Sequence, residues 1–246
     1  MKNKIYFASD FHLGAPDKFR SKQRELLLVN WLDMIKNDAT ELYLLGDVFD
    51  FWYEWKYVVP KGFVRFLCKL SELVECGIKV YYFTGNHDIW AYRYLSEEIG
   101  LIIVRKPITI VRDEKKLYLA HGDGLGPKDY GFKIMKMLFT NNILQFLFSR
   151  LHPNFSIWLG TNWSLSRDGF SRTPTFTGEK EWLIQHSEKV LKNEHFDYFI
   201  YGHRHIPGTY SLSDSSIYVN LGDWLVNNTY AEFEGGQITL KKFNIA

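Results

Sequence analysis

Five hydrophobic segments of the sequence end in side chains that commonly bind metal ions. The segments are "IYFASDFH", "LYLLGD", "YYFTGN", "LYLAHGD" and "YFIYGHRH", and they present Asp10, His12, Asp47, Asn86, His121, His203 and His205. One such ending would be typical of a turn or a helix cap. Because Asp10 and His12 are two residues apart, an extended chain would point both to the same side. Five such endings in one chain favour a common site.

Carboxylate, amide and imidazole ligands without a thiolate suit Mn²⁺, Fe²⁺ or Zn²⁺ better than Ca²⁺ or a structural zinc. Ligands bind at the carboxyl edge of an open α/β sheet, where the ends of parallel strands meet. Seven candidate ligands exceed the need of one ion, so we expect a two-metal site with a shared carboxylate. Two such ions, most simply Mn²⁺, would bind a phosphate and generate a bridging hydroxide that attacks phosphorus in line.

His87 follows Asn86 directly and is predicted to be catalytic, donating a hydrogen bond or a proton to the leaving group. Asp88 is predicted to share this role by orienting the His87 ring, for which Asp50 is the alternative. Asp50 is either a partner of a ligand imidazole or a helix cap, and the sequence leaves both open.

The elements that must position these residues alternate through the first half of the chain. Strand-like segments "KIYFAS", "ELYLL" and "KVYYFT" are separated by helices near Lys22–Lys36 and Gly62–Cys76, which indicates β-α-β crossovers and a largely parallel sheet. "PITIV" and "KKLYLA" predict a hairpin. Five later segments, "DYFIY", "GTYSL", "SIYVNL", "NTYAEF" and "QITLKKF", carry turn signals between them and predict an antiparallel pattern.

Residues 125–178 contain no convincing strand. "YGFKIMKMLF" and "NILQFLFSRL" predict two short apolar helices, followed by a loop rich in Ser, Thr, Arg and Trp. We therefore expect one domain over residues 1–246 with a helical cap inserted at about 125–178.

The composition is that of a folded protein, with 46% hydrophobic and 17% aromatic residues in 246. The formal net charge of +2 neither requires nor excludes a polyanion, but the absence of a basic stripe argues against a nucleic-acid partner. Cys68 and Cys76 share one helical segment, so we expect no disulfide and a cytoplasmic location. The N-terminal apolar run ends at Ser9, too early for a signal peptide.

The blocks "SDFHLG", "GDVFDFW", "TGNHDIW", "AHGD" and "YGHRH" occur in the order seen in the calcineurin-like metallophosphoesterase family, which the chain resembles. The resemblance implies an α/β fold, a four-layer αββα sandwich of two mixed β-sheets. It also implies that one metal is held by Asp10, His12, Asp47 and His205 and the other by Asp47, Asn86, His121 and His203. Asp47 would bridge the two ions.

Within the family the chain is most similar to the UDP-2,3-diacylglucosamine diphosphatases of lipid A biosynthesis, which release UMP and 2,3-diacylglucosamine 1-phosphate. The length, "GDVFDFW" and the apolar segment after "AHGDGLGPKDYG" carry this likeness. It implies that a nucleotide-linked lipid contacts Asn86, His87 and His203, with Asp129 of the cap. Arg167, Arg172 and Lys180 are further candidates for contact with the pyrophosphate or the uridine. His87 departs from subfamily members that carry Arg there.

The two predicted cap helices carry more apolar surface than one narrow helix face can bury, which allows two interpretations. Both helices could simply pack on the body, or they could line a chamber for acyl chains and lie against the cytoplasmic face of the inner membrane. In the second case Lys133, Lys136 and Arg150 would face anionic headgroups. Alternative functions with the same core are a phosphodiesterase or phosphoprotein phosphatase, which would need an open polar groove, and a non-catalytic scaffold, which could have lost ligands.

Overall fold

The computed structural model describes residues 3–126, 130–167 and 175–244. The strands are β1 Lys4–Ala8, β2 Ala39–Leu44, β3 Lys79–Phe83, β4 Ile102–Val104, β5 Ile108–Arg112, β6 Lys115–Ala120, β7 Tyr198–Tyr201, β8 Gly208–Ser213, β9 Ser216–Asn220, β10 Thr229–Glu234 and β11 Gln237–Lys242. The helices are α1 Lys18–Ile35, α2 Val64–Glu75, α3 Tyr94–Glu97, α4 Tyr130–Phe139, α5 Asn142–Ser149, α6 Pro153–Arg167 and α7 Trp182–Leu191, with a 3₁₀ helix at Gly178–Lys180.

The strands form two mixed sheets. The first has the order β11-β10-β1-β2-β3-β4, with β1 to β4 parallel and β10 antiparallel to both of its neighbours. The second has the order β5-β6-β7-β9-β8. Within each parallel set the strands point the same way, so their carboxyl ends, and the loops that follow them, lie at one edge.

Alternating side chains bury both faces of the first sheet. Ile5 and Phe7 of β1 point toward the second sheet and pack with residues such as Leu119 and Ile200. Tyr6 and Ala8 point the other way, into a cluster with α1 and α2. On the far face of the second sheet, residues of β6, β7 and β9 pack against α7. The layers are therefore helix, sheet, sheet and helix, as the predicted four-layer sandwich requires.

Two sequence-based expectations needed correction. The segments after residue 178 are not uniformly antiparallel, because β7 is parallel to both β6 and β9. Helix α7 precedes β7 and provides the crossover that a parallel strand needs. The predicted cap loop contains a third helix, α6, that the sequence reading missed.

The predicted hairpin is correct, with Ile108 pairing Leu119 and Arg112 pairing Lys115. Cys68 and Cys76 form no disulfide, as expected. Among the described helices, none combines the length and the apolar character needed to cross a membrane.

Phe11 links the fold to the loop after β1. Its ring is fully buried and makes edge contacts with Trp31 of α1, Phe66 of α2 and Trp224, at centroid distances of 6.2, 5.8 and 5.5 Å. This packing fixes the backbone of Asp10 and His12, which flank Phe11.

We predict that Phe11→Ala lowers the free energy of unfolding by about 3–5 kcal/mol, because it removes a large core ring and leaves a cavity. Urea unfolding monitored by circular dichroism measures this. Phe19→Ala is the matched control, since its ring is 71% exposed, and its effect should stay within about 0.5 kcal/mol. Equal effects of both substitutions would contradict the proposed anchoring.

Candidate metal centre

The strand ends place the predicted ligands in two adjacent groups. Asp10, His12 and His205 offer atoms that lie within 4.8 Å of one another, and so do Asp47, His121 and His203. In the first group the Asp10 Oδ1 atom lies 3.2 Å from His205 Nε2 and 3.9 Å from His12 Nε2. Ligand atoms that share an ion at about 2.0–2.2 Å are on the order of 3–4 Å apart, so this spacing fits a divalent metal.

Asp47 lies between the two groups. Its Oδ2 atom is 3.2 Å from His121 Nε2 and 3.9 Å from His12 Nε2. Its Oδ1 atom accepts a hydrogen bond from the His87 backbone N–H at 2.9 Å. One carboxylate thus contacts nitrogen atoms of both groups while its other oxygen is fixed by the loop after β3.

Among the described residues, three buried polar atoms of the predicted ligands make no hydrogen bond of ordinary geometry, namely Asp10 Oδ1, Asn86 Oδ1 and His121 Nε2. Buried polar atoms in native proteins almost always have a partner. All three carry lone pairs suited to a cation, and the other ring nitrogen of His121, Nδ1, is 2.7 Å from the Leu45 carbonyl oxygen and can donate to it. A carbonyl partner of this kind orients a metal-binding imidazole. The residues therefore fit a bound divalent metal.

The loops reach this arrangement through an uncommon backbone conformation. Five of the predicted ligands have positive φ, at Asp10 (56°), His12 (43°), Asp47 (51°), His203 (63°) and His205 (55°). Asp10 and His12 therefore do not converge by strand alternation, because β1 ends at Ala8 and the chain turns through left-handed residues. Asp and His tolerate this conformation better than most side chains do.

Glycines next to the ligands leave room for this packing. A Cβ atom on Gly85 would collide with the Asp47 carboxylate, and one on Gly202 would collide with the Asp10 carboxylate. A Cβ atom on Gly46, which also has a φ of 90°, would lie 2.5 Å from His121 Nδ1. The Gly-Asp, Gly-Asn and Gly-His pairs of the motifs thus have a steric reason.

The buried carboxylates and imidazoles of the centre shift one another's pKa values. Burial would raise the pKa of Asp47, but the His121 and His87 imidazoles lower it well below its usual range. Burial would lower the pKa of His121, but Asp47 and Asp10 raise it to about 10 when no metal is bound. Burial and the neighbouring His121 lower the pKa of His203 to about 4, so that this ring is neutral and available as a ligand. A bound cation would replace the proton on His121.

His87 lies beside the centre, and its Nδ1 atom is 3.0 Å from the backbone carbonyl oxygen of Asp50. The Asp50 carboxylate is 3.3 Å from His12 Nδ1. Asp50 therefore contacts both a predicted ligand and the predicted catalytic histidine. This is the first of the two roles considered for it, a partner of a ligand imidazole rather than a helix cap.

Asp88 does not contact the His87 ring, which corrects the expectation that it orients that ring. Its carboxylate is fully buried and accepts hydrogen bonds from Gly85 N at 2.7 Å, Val48 N at 2.9 Å and the Tyr82 hydroxyl at 2.5 Å. Burial and the charge of Asp47 raise the pKa of Asp88 to about 6. Its contacts join the loops after β2 and β3, so its place is structural.

The sequence reading missed Asp223, whose Oδ2 atom is 3.9 Å from His205 Nδ1. Its Oδ1 atom accepts from Val226 N at 2.7 Å. A signal was available, because "YVNLGD" repeats the pattern of an apolar strand followed by Gly-Asp. Trp182 was also missed, and its ring packs against His203 at a centroid distance of 5.6 Å.

A cavity of about 730 Å³ opens from the centre into the cap. Asn86, His87 and His203 line its inner end. The apolar part of its wall consists of Phe51, Trp90, Met135, Leu138, Phe139, Leu144, Phe148, Leu159, Trp163 and Trp182. The predicted cap therefore covers the predicted metal site.

The cap is tied to the body by two aromatic residues. Trp90 Nε1 donates to the Phe139 carbonyl at 2.8 Å, and the Tyr53 hydroxyl donates to the Gln145 carbonyl at 2.9 Å. The Phe148 ring lies between the two, with centroid distances of 5.2 Å to Trp90 and 5.0 Å to Tyr53.

Other residues of the cap region were predicted to contact the substrate or lipid headgroups, and the structure describes only some of them. Asp129 and Arg172 lie outside the described residues, as does the side chain of Arg167. Lys180 is exposed in the 3₁₀ helix. Lys136 Nζ lies 2.7 Å from the buried Asp123 carboxylate, which directs it toward the body and away from a headgroup layer.

The comparisons with known proteins agree with this geometry. The sequence profile described as calcineurin-like phosphoesterase matches residues 3–207. The chain belongs to the calcineurin-like phosphoesterase family. A protein of Porphyromonas gingivalis named UDP-2,3-diacylglucosamine hydrolase is 35% identical over 98% of both chains. One of the same name from Vibrio atlanticus is 27% identical over 94% of this chain and 93% of that protein. Members of the family are metal-dependent hydrolases, and we assign this chain to that class.

We predict that Asp47→Ala abolishes binding of divalent metal, because it removes the carboxylate that lies between the two groups. His12→Ala removes one nitrogen from one group and should retain part of the metal. Elemental analysis of the purified, dialysed variants measures both. Retention of the full metal content by the Asp47 variant would refute its shared position.

Proposed function

We propose that the protein hydrolyses the pyrophosphate of UDP-2,3-diacylglucosamine to UMP and 2,3-diacylglucosamine 1-phosphate, a step of lipid A biosynthesis, with two Mn²⁺ ions. The observation that carries the proposal is the apolar chamber that begins at Asn86, His87 and His203. A phosphoprotein substrate would instead need an open polar groove. The names of the relatives support the same substrate.

The chain supplies binding, orientation and a proton donor. When bound, two divalent ions would polarise the phosphate and lower the pKa of water. Asp10, His12, Asp47 and His205 would hold one ion and Asp47, Asn86, His121 and His203 the other. The His87 Nδ1–H can donate to the Asp50 carbonyl and so orient the ring, and in its doubly protonated form the ring would give the leaving oxygen a hydrogen bond or a proton. The apolar cap would hold the acyl chains and exclude water.

The direct test is release of UMP from purified UDP-2,3-diacylglucosamine with Mn²⁺, and its loss after chelation. Restoration of activity on adding Mn²⁺ back is the expected result. Wild-type protein that binds Mn²⁺ and hydrolyses a simple phosphodiester but not this substrate would refute the substrate assignment and leave the family intact.

We predict that His87→Ala keeps its metal but loses about 10²–10⁴-fold in kcat, the range for a positioned acid or base. Steady-state kinetics together with elemental analysis separate chemistry from metal binding. A wild-type rate would make His87 a bystander, and loss of metal would make it a ligand.

The chamber wall gives a second prediction. It compares two neighbouring residues of α5, of which one lines the chamber and the other faces solvent. Phe148 lines the chamber, whereas Leu147 is 56% exposed and does not. Phe148→Ser should raise KM by about tenfold for a soluble short-chain diacyl substrate, because about 1–2 kcal/mol of apolar burial is lost. KM for the same nucleotide sugar without acyl chains should not change.

Leu147→Ser is the matched control for Phe148→Ser and should leave both KM values unchanged. An equal rise for the acylated and unacylated substrates in the Phe148 variant would indicate that Phe148 only packs the cap. That outcome would count against the acyl chamber.

The outer face of the cap leads us to propose contact with the cytoplasmic face of the inner membrane. Met137, Ile143, Phe146 and Leu147 are between 55% and 70% exposed. The same two helices line the chamber on their inner side, so a lipid substrate could pass between membrane and site. Arg150, whose guanidinium lies 4.3 Å from the Phe146 ring centroid, is placed for an anionic headgroup.

We predict that Ile143→Ser with Leu147→Ser reduces binding to vesicles that contain anionic phospholipid by about tenfold or more, because apolar surface that inserts is lost. Vesicle co-sedimentation measures it. Val111→Ser, at another surface position that is 57% exposed, should bind as the wild type does. Unchanged binding of the cap variant would contradict the membrane contact.

A further inference from the structure

Helix α6 approaches the body of the protein through a face of small residues. Ser156, Gly160 and Ser164 are four residues apart and share one side of the helix. Both serines are buried, at 0% and 3% exposure. A Cβ atom on Gly160 would collide with the Phe51 ring. The small side chains therefore allow the backbone of α6 to lie against the segment that carries Asp50 and Phe51.

The last residue of this face makes a hydrogen bond to that segment. The Ser164 hydroxyl donates to Asp50 Oδ1 at 2.7 Å, and both side chains are buried. The same oxygen lies 3.3 Å from Nδ1 of His12. A continuous path of three side chains thus connects a helix of the cap to a residue of the metal centre.

A carboxylate behind a metal-binding imidazole fixes the ring orientation and raises the basicity of the ligand nitrogen. The Asp50 carboxylate can do this only if it is itself held in place. Its backbone is held by a bond from Asp50 N to the Leu13 carbonyl at 3.0 Å. Ser164 is the residue that donates a hydroxyl hydrogen bond to the carboxylate oxygen facing His12.

We propose that Ser164 is a positioning residue of the metal centre, which orients the His12 imidazole through Asp50 although it belongs to the cap. The position of α6 against the body then determines the orientation of the His12 imidazole. The inference rests on the metal centre of the proposed function and is independent of the nature of the substrate.

The test is the affinity of the full-length protein for Mn²⁺, measured by titration calorimetry without substrate. Ser164→Ala should weaken binding by about tenfold, the lower end of the range for partners of metal ligands. Ser156→Ala is the matched control, because it removes from the same face a buried hydroxyl that has no hydrogen-bond partner within the described part of the chain. It should bind Mn²⁺ as tightly as the wild type.

Ser164→Thr retains a hydroxyl and should recover most of the affinity, which a loss of packing alone would not explain. Thermal unfolding monitored by circular dichroism accompanies each variant, so a variant that does not fold is recognised and the threonine variant carries the comparison. Equal Mn²⁺ affinities of the Ser164→Ala variant and the wild type would overturn the inference.

A double-variant cycle tests the path itself. In an Asp50→Ala background, Ser164→Ala should cause no further loss of Mn²⁺ affinity, because the intermediate group is gone. Additive losses would overturn the path through Asp50. A wild-type protein that binds no Mn²⁺ would instead refute the metal centre of the proposed function, and the two failures are therefore distinguishable.

Discussion

The structure depends on five metal-capable residues held in the left-handed backbone region at the ends of strands. Each such residue costs about 1–3 kcal/mol and keeps this conformation only because its surroundings enforce it. The surroundings here are specific. The loops bond to one another, with Asp10 N donating to the Gly46 carbonyl and His12 N to the Asp47 carbonyl, at 3.0 and 2.9 Å. Phe11 anchors the first loop in the core. A rigid sandwich therefore offsets the strain of a preformed site.

This constraint also explains the glycines of the motifs. Gly46, Gly85 and Gly202 each precede a predicted ligand, and a side chain at any of them would occupy the space of another ligand. The ligands are packed against one another with little free volume between them, so the spacing in the motifs reflects close packing as well as metal chemistry. Buried carboxylates and imidazoles at such short range would be costly as isolated charges, and their mutual pairing reduces that cost.

The strand-end placement of the ligands could be predicted because buried strands are read directly from β-branched and aromatic runs, whereas the two mixed sheets were implied by the family resemblance. The prediction failed where the buried side chains are small or polar rather than apolar. Helix α6 was predicted as a loop, since the face that packs on the body is Ser156, Gly160 and Ser164 while Phe155 and Trp158 are at least half exposed. A search for an apolar stripe cannot find such a helix. The contact of Ser164 with Asp50 was invisible for the same reason, and Asp223 was overlooked although its motif matched the others.

The cap and the centre are one functional unit in this account. Trp90 and Tyr53 attach the cap helices above the loops, and Phe148 fills the space between these rings. The same cap helices present apolar residues both to the chamber and to the outside. The proposed substrate matches that polarity, because its pyrophosphate would lie at the ligands and its acyl chains under the cap.

The most direct test of the central claim is a titration of the wild-type protein with Mn²⁺ followed by electron paramagnetic resonance. The account predicts two bound ions for each chain, with a spin-coupled signal appearing as the second site fills, because Asp47 lies between the two groups of ligands. Saturation at one ion, or two ions with only uncoupled signals, would contradict a shared dinuclear centre.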